Sequence, residues 1–217
     1  MSIGNVSKKS VIELIKVNGM ELQYANGAMQ NDKEIVIIAI NQDARAFRYA
    51  STRLRNNKEV VMIAIKLDCR LLCWVSDRLK DDKEVAMCAV KQDGWALRYV
   101  SMELRDDMEV VISAVKQNSC ALSFASDRLR NNIEIIMPAI NQYGRALEYA
   151  SNELKNDIEV VISAISREGG ALKFASFGMR TNPKLVVLAS QTGDCVDSII
   201  ILKYYSAKDN KAWMRLV

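Results

Sequence analysis

The chain contains no histidine, only two prolines, and no Cys-x-x-Cys pair among its five cysteines. Without histidine, Ser-His and Cys-His nucleophile pairs and histidine metal sites are excluded. With so few prolines, helices can run without interruption. An odd number of scattered thiols is typical of a reducing compartment, where buried cysteines behave as small apolar residues. We therefore expect no enzyme activity, no catalytic residue, no bound metal and no cofactor.

Long apolar runs are also missing. No stretch approaches the roughly 20 apolar residues that a membrane span needs, and the first residues lack the apolar core of a signal peptide. The 217 residues are 50% hydrophobic and 26% charged, with a net charge of +4. This balance is that of an ordinary globular protein, and it is less basic than most nucleic-acid-binding domains. It predicts a soluble, cytoplasmic chain without a membrane span.

A period of 25 residues organises the sequence. Six consecutive repeats, residues 32–181, agree column by column, each with a glutamate, an alanine, an aromatic residue and a serine at fixed positions. Residues 7–31 form a weaker first unit, and residues 182–217 a degenerate last unit and tail, as expected for the ends of an array. We therefore predict a single repeat domain over 1–217. The column that starts each repeat is Asp32, Asn57, Asp82, Asp107, Asn132, Asp157 and Asn182.

Each repeat opens with a helix signal. Asn31 followed by Glu34 fits a capping box, in which an N-cap side chain and a glutamate three residues later satisfy the free N–H groups of a helix start. The apolar residues that follow, from Ile35 onward, are spaced i, i+1, i+4 and i+5, which is a helical face. The pattern predicts a helix over about 32–42.

A turn and a second helix complete the predicted repeat. Gly94, Gly144 and Gly169 occupy the turn in three repeats, where a left-handed helix stop favours glycine. A second helix is expected over about 45–55, with Tyr49 on its core face. Two short helices of this length are unstable alone and need stacked neighbours. The sequence thus predicts an all-α fold, an α-solenoid of stacked 25-residue helix-turn-helix repeats.

The stretch DKEVAMCAVKQDGWALRYVSMEL, residues 82–104, resembles the tandem repeat known as domain of unknown function four-one-one-six. The resemblance covers about residues 20–180. It implies a helical-repeat protein of a kind found in bacteria and some microbial eukaryotes, including candidate secreted effectors of intracellular pathogens. It implies the host-cell cytosol as an alternative location, and it brings no catalytic motif.

Three repeated columns receive structural interpretations. The glutamates are predicted to cap helices. The serines are predicted to lie within the second helix and to bond the carbonyl one turn back. The aromatic residues are predicted to pack in the core, although a stack of aromatic platforms for nucleic-acid bases is the alternative. The aromatic column is Tyr49, Trp74, Tyr99, Phe124, Tyr149 and Phe174.

Ligand binding is expected where the repeats differ, since solenoids bind through a variable exposed stripe. On the second helix this stripe follows positions 45, 48 and 52. Trp95, flanked by Arg70 and Arg98, resembles the anchor of an interface; partial packing against a neighbouring repeat is the alternative. The candidate binding residues are Arg45, Arg48, Arg70, Trp95, Arg98, Met102 and Arg145.

A basic column supports a second hypothesis. Its simplest explanation is favourable charge near a helix C-terminus, but it also offers one cation per repeat to an acidic partner or a phosphate backbone. The leading prediction is a non-enzymatic scaffold that binds a protein or peptide, with a nucleic-acid-binding solenoid as the alternative. The sequence does not indicate the oligomeric state. The basic ladder is Arg55, Lys80, Arg105, Arg130, Lys155 and Arg180.

The segment after residue 182 is apolar and aromatic, with an Ile199–Leu202 run, Tyr204, Tyr205 and Trp213. A capping helix over the last repeat is predicted for it. A docking tail for a partner is the alternative.

Overall fold

The computed structural model describes residues 7–192, and within them the chain is helical without a strand. The predicted all-α repeat fold is confirmed. The chain divides into two compact units, residues 1–117 and 118–217. The prediction of one repeat domain over 1–217 stays a prediction, and most of the predicted capping segment and tail lies outside the described residues. No helix between residues 7 and 192 combines the length and apolar character that crossing a bilayer requires.

Each repeat begins with a long α-helix, as predicted, but its N-cap is one residue later than expected. The carboxylate of Asp32, not the side chain of Asn31, accepts the backbone N–H of Glu34 at 3.0 Å and of Ile35 at 3.3 Å. The long helices span Lys8–Val17, Lys33–Gln42, Lys58–Leu67, Lys83–Val90, Met108–Gln117, Ile133–Gln142, Ile158–Arg167 and Pro183–Gln191.

The predicted second α-helix over 45–55 is wrong, because a six-residue 3-10 helix takes its place. In the first full repeat it ends at Tyr49, and Ala50 is extended, with φ −61° and ψ 147°. The extended link lets the N–H of Ser51 reach the carbonyl of Gln30 in the preceding repeat at 2.9 Å, a bond that a continuous helix would forgo. The 3-10 helices are Gly19–Tyr24, Ala44–Tyr49, Cys69–Trp74, Gly94–Tyr99, Ser119–Phe124, Gly144–Tyr149 and Gly169–Phe174.

A third short element ends each repeat, and its type alternates. The N–H of Asp81 bonds the carbonyl of Asp77, four residues back, whereas the N–H of Asn56 bonds that of Arg53, three residues back. The structural period is therefore two sequence repeats. The α-helical turns are Gly27–Gln30, Asp77–Lys80, Asp127–Arg130 and Phe177–Arg180; the 3-10 turns are Leu54–Asn56, Leu104–Asp106 and Leu154–Asn156.

The aromatic column does not lie in the core, contrary to prediction. Trp74 is 41% exposed and Tyr24, its counterpart in the first unit, is 47% exposed. The large buried side chain of each 3-10 helix comes two residues earlier, from Phe47 or from a leucine such as Leu97, both fully buried. Because the helix stops at the aromatic position, that ring lies at the outer end of the element.

The serine column links repeats, and its predicted place inside a helix is wrong. Ser51 lies between the 3-10 helix and the third element, three residues before Leu54, and its hydroxyl donates to the side-chain oxygen of Asn31 in the preceding repeat at 2.6 Å. The side chain of Asn31 therefore links two stacked repeats and does not cap the N-terminus of the long helix. The same contact joins Ser76 to Asn56, Ser101 to Asp81, Ser151 to Asn131 and Ser176 to Asn156.

Gly144 and Gly169 allow successive repeats to approach closely. They do not form the left-handed helix stop that the sequence predicts at these positions. A side-chain carbon built on Gly144 would lie 2.6 Å from the carbonyl oxygen of Ala164, and one on Gly169 would lie 2.1 Å from that of Ala189. The residues before these glycines, Tyr143 and Glu168, are extended. At these two positions a larger residue would push the next long helix away, whereas the repeats with Ala44, Cys69 and Ser119 at the equivalent position accommodate a side chain.

Lysines connect successive long helices in the first unit. Lys58 reaches Asp82 and Glu84 of the next repeat, both at 2.8 Å, so Glu84 takes an ion-pair partner besides its place in the first helical turn. Lys8 and Lys83 make the same pair of contacts, and Lys33 contacts Glu59. We call Lys8, Lys33, Lys58 and Lys83 the lysine row.

These contacts predict an acid-sensitive first unit. Burial raises the pKa of Asp82 and Asp107, but hydrogen bonds from Lys58 or Lys83 and from the helix N–H groups outweigh it, and both pKa values lie below the ordinary 3.8. A carboxylate with a lowered pKa contributes stability above pH 3.8, which is lost as the pH falls through its folded pKa.

The variant Asp82→Asn/Asp107→Asn tests this dependence. Asparagine keeps the cap, since Asn57 in the same column accepts the N–H of Val60, but it removes the titrating charge. Urea unfolding over a pH series should show fewer protons taken up on unfolding near and below pH 3.8, with a difference from the wild type of at most about two protons. A pH dependence equal to that of the wild type would contradict the assignment.

Candidate functional site

Aromatic rings and cations alternate on the outer surface of the 3-10 helices. The guanidinium of Arg48 lies 5.1 Å from the ring centre of Tyr49 and 5.6 Å from that of Trp74 in the next repeat. Arg98 lies over Tyr99 at 5.0 Å. Cation–π contacts of this length hold an arginine stem in place while leaving N–H groups free for an outside acceptor.

Two adjacent hollows open on this surface in the first unit. The first, of about 340 Å³, is lined by three cations, Lys80, Arg98 and Arg105, and by one carboxylate, Asp77. Met102, whose side chain is 73% exposed, forms part of its wall. The excess of positive charge beside an exposed apolar side chain suits a ligand that carries both an acidic and an apolar group.

The second hollow, of about 230 Å³, shares Arg98 and Tyr99 with the first. Trp95, 42% exposed, and Arg70 complete its wall. The carboxylate of Asp93 also lines it and accepts the backbone N–H of Trp95 at 2.9 Å, which fixes the start of this 3-10 helix. Trp95 is therefore presented from a rigid backbone, as an interface anchor requires.

Some of the candidate arginines already have carboxylate partners. Arg70 contacts Asp68 at 2.9 Å, and this hydrogen bond holds the pKa of Asp68 below its ordinary value. Arg45 pairs with Asp43 at 2.7 Å in the same way. Both arginine side chains are more than 70% exposed. Each keeps N–H groups available, because a guanidinium has five donors.

The thiols that line the hollows are not activated nucleophiles. Cys69 contributes to the second hollow and Cys73 to the first. Burial raises the pKa of both thiols. They therefore stay protonated at neutral pH, and the thiolate needed for nucleophilic attack is scarce.

The basic ladder is half-buried in every repeat and turns partly toward the protein. Arg105 donates to the carbonyl of Arg98 at 2.6 Å and to that of Val100 at 3.2 Å, and thereby binds the C-terminal end of a 3-10 helix. Burial, with the nearby charge of Arg130, lowers the pKa of Lys155. Lys80 pairs with Asp77 at 3.1 Å, and Arg130 pairs with Asp127. The ladder therefore directs part of its charge to a helix end at Arg105, the simpler of its two interpretations, and part to neighbouring carboxylates.

The structure brings together four of the predicted binding residues around the two hollows: Arg70, Trp95, Arg98 and Met102. Arg48 lies on the same surface beside Trp74. Arg45 does not line either hollow. Arg145 belongs to the second unit, where it is half-buried and paired with Glu168.

Sequence reasoning missed the partial exposure of Tyr99 and of Trp74. A signal was present, because arginine precedes the aromatic residue in the pairs Arg48–Tyr49 and Arg98–Tyr99. Such a dipeptide at the end of a 3-10 helix places both side chains at the surface.

Comparison with known proteins identifies one family. The family model described as a domain of unknown function (DUF4116) matches residues 8–55, 57–105, 107–155 and 132–180. Each match spans two 25-residue repeats, in agreement with the alternation of the third element. No curated protein and no solved structure matches the chain.

Proposed function

Because this chain belongs to the DUF4116 family, whose description names no activity, we propose a function from its own surface. The chain is a non-enzymatic scaffold that binds an acidic segment of a protein or peptide along the 3-10 helices of its first unit. The observation that carries this proposal is the meeting of Trp95, Arg98, Lys80 and Arg105 around two adjoining hollows. The effector role and the host cytosol implied by the resemblance stay predictions.

The composition of this surface supports a peptide partner. Tryptophan, tyrosine and arginine are the residue types that dominate the energetics of protein interfaces. The two hollows meet at Arg98, so an extended segment lying across them would place a carboxylate near its guanidinium. An apolar side chain of the same segment would then contact Trp95 or Met102. The backbones that present these residues are fixed by caps and by contacts between repeats, which lowers the entropic cost of binding.

Single-stranded nucleic acid is the second candidate. The half-exposed aromatic column, with Arg48 and Arg98 stacked on it, resembles the arrangement that binds unpaired bases without sequence preference. The internal hydrogen bonds of Arg105 and the pairing of Arg70 with Asp68 reduce the charge open to any acidic ligand. A nucleic-acid strand needs such cations at several successive phosphates, whereas the peptide needs a carboxylate contact at Arg98 alone, which the two hollows share. For this reason we place the peptide first.

Fluorescence anisotropy with three labelled probes separates these functions. The probes are a short peptide of alternating glutamate and leucine, the same peptide with lysine for glutamate, and an oligothymidylate. We expect the glutamate peptide to bind the full chain at least about tenfold more tightly than the lysine peptide, because one unfavourable charge contact costs a kcal/mol or more.

Binding of the oligothymidylate would contradict the peptide proposal in the following case. If it binds more tightly than the glutamate peptide, with an affinity that falls with a log–log salt slope of about −0.7 per phosphate contact, the nucleic-acid function replaces the peptide function. Equal binding of the two peptides would show that charge does not select the partner and would refute the proposal.

A further inference from the structure

The row of positions that carries the lysine row changes character after Lys83: its next residue, Met108, still belongs to the first unit and is apolar and half-buried. In the equivalent positions of the second unit stand Ile133, Ile158 and Pro183, all exposed, with each isoleucine 48% exposed. One turn further along the helices, Ile162 is 38% and Val187 39% exposed. The ion pairs that join successive long helices in the first unit thus give way to an apolar surface.

These side chains lie at equivalent positions, or one turn apart, on three successive long helices, and we call them the apolar stripe: Ile133, Ile158, Ile162 and Val187. The helix Ile158–Arg167 packs against both Ile133–Gln142 and Pro183–Gln191, so the stripe crosses three neighbouring helices. Isolated exposed aliphatic residues are common, but a row on neighbouring helices that replaces lysine at equivalent positions indicates a covered surface.

The size of the stripe favours a tethered occupant. Four partly exposed aliphatic side chains present a few hundred Å², well below the roughly 800 Å² per partner of a stable interface between separate proteins. A segment of the same chain needs much less area, since its effective concentration near the stripe is high.

The segment 193–217 meets these requirements by sequence and position. It lies outside the described residues and follows directly on the helix Pro183–Gln191, which carries Val187. Its apolar run Ile199–Leu202 begins seven residues after Thr192. Seven extended residues reach about 23 Å, and three helices packed 8–10 Å apart span roughly 20 Å between the outer two. Ile133 and Ile158 stand at the opposite end of their helices from Thr192, which adds about 13 Å along the helix axis at 1.5 Å per residue. The start of the apolar run therefore reaches Ile158, Ile162 and Val187, the residues on the two nearer helices.

We propose that residues 193–217 dock on the apolar stripe and cover it. Aliphatic side chains of the run Ile199–Leu202 exchange water for the side chains of Ile158, Ile162 and Val187. This contact takes over, in the second unit, the connection between repeats that the lysine row makes in the first. The inference is independent of the peptide-binding proposal, because it concerns other helices and another unit.

Hydrogen exchange of the full chain, followed by mass spectrometry, tests the docking. The variant Ile133→Lys/Ile158→Lys gives the stripe the residue that the first unit uses, at positions exposed enough to accept it without unfolding. We expect amides of residues 193–217 to exchange about tenfold faster in this variant than in the wild type, because lysine removes the apolar contact that holds the segment closed. Leu67→Lys is the matched control: Leu67 is 52% exposed in the first unit, and its replacement should leave this exchange unchanged.

Three results would overturn the proposal. Fast exchange of residues 193–217 already in the wild type would mean that the segment does not dock. Protection that survives the double variant would place the segment over the end of the last repeat, the cap predicted from sequence. Protection that rises with protein concentration would assign the stripe to a second copy of the chain.

Discussion

Replacing Phe47 with alanine is expected to lower the free energy of unfolding by about 3–5 kcal/mol, the cost of deleting a buried aromatic side chain from a core that cannot collapse. Phe47 is fully buried, and the 3-10 helix that carries it packs against the long helix Lys33–Gln42. Denaturation in urea, followed by far-ultraviolet circular dichroism, measures the loss.

Tyr49→Ala is the matched control two residues away. Tyr49 is half-buried, donates to Gln23 at 3.2 Å and supports Arg48, so its replacement should cost only about 1–2 kcal/mol, the sum of one hydrogen bond and one cation–π contact. If Tyr49→Ala lowered the free energy of unfolding as much as Phe47→Ala, the ring of Tyr49 would have to belong to the core. That result would contradict the packing described above.

Trp95→Ala is expected to weaken binding of the glutamate–leucine peptide by about 30-fold, the effect of removing a hot-spot anchor worth roughly 2 kcal/mol. Arg98→Glu should weaken it at least as much, because the two hollows share Arg98 and the change reverses the charge where they meet. Both side chains are exposed, so the circular dichroism spectrum should not change. Arg98→Glu also removes the cation–π contact with Tyr99, so its unfolding midpoint should fall only slightly.

Phe177→Ala is the control for this experiment. Phe177 is 74% exposed, carries a comparable ring and lies in the second unit, away from the hollows. Its replacement should leave the affinity of the peptide unchanged. If Trp95→Ala and Phe177→Ala weaken binding equally, the interaction depends on general hydrophobicity and the assigned surface is wrong.

The expectation that the protein is not an enzyme stays a prediction, and the described residues bear on two kinds of site. Cys69 and Cys73 are held protonated by burial, and between residues 7 and 192 no group of three or more cysteine and carboxylate side chains could hold a metal ion. The surface features that distinguish one repeat from another are aromatic and cationic, which are properties of recognition.

The long helix of each repeat could be predicted because its causes are local. A column of Asp or Asn caps the N-terminus, and apolar residues from Ile35 onward follow the helical period, so both signals repeat six times at one register. The cap itself was placed one residue too early, at Asn31, since Asn and Asp are equally good caps when they stand side by side.

The second half of the repeat could not be predicted in the same way. Residues 45–55 have a helical pattern, but the N–H and the hydroxyl of Ser51 bond Gln30 and Asn31 of the preceding repeat. These contacts between repeats stabilise the chain more than continuing the helix would. The helix propensity of the residues in one repeat contains no information about them.

The sequence by itself thus determined the 25-residue period, the all-helical class, the long helices and the variable stripe that includes Trp95 and Arg98, because each depends on spacing along the chain. Only the tertiary structure decided that the second element is a 3-10 helix, that Tyr49 lies outside the core beside Phe47, and that Lys80 and Arg105 join Trp95 and Arg98 around two hollows. The physical reason is that these features depend on how one repeat packs and hydrogen-bonds against the next.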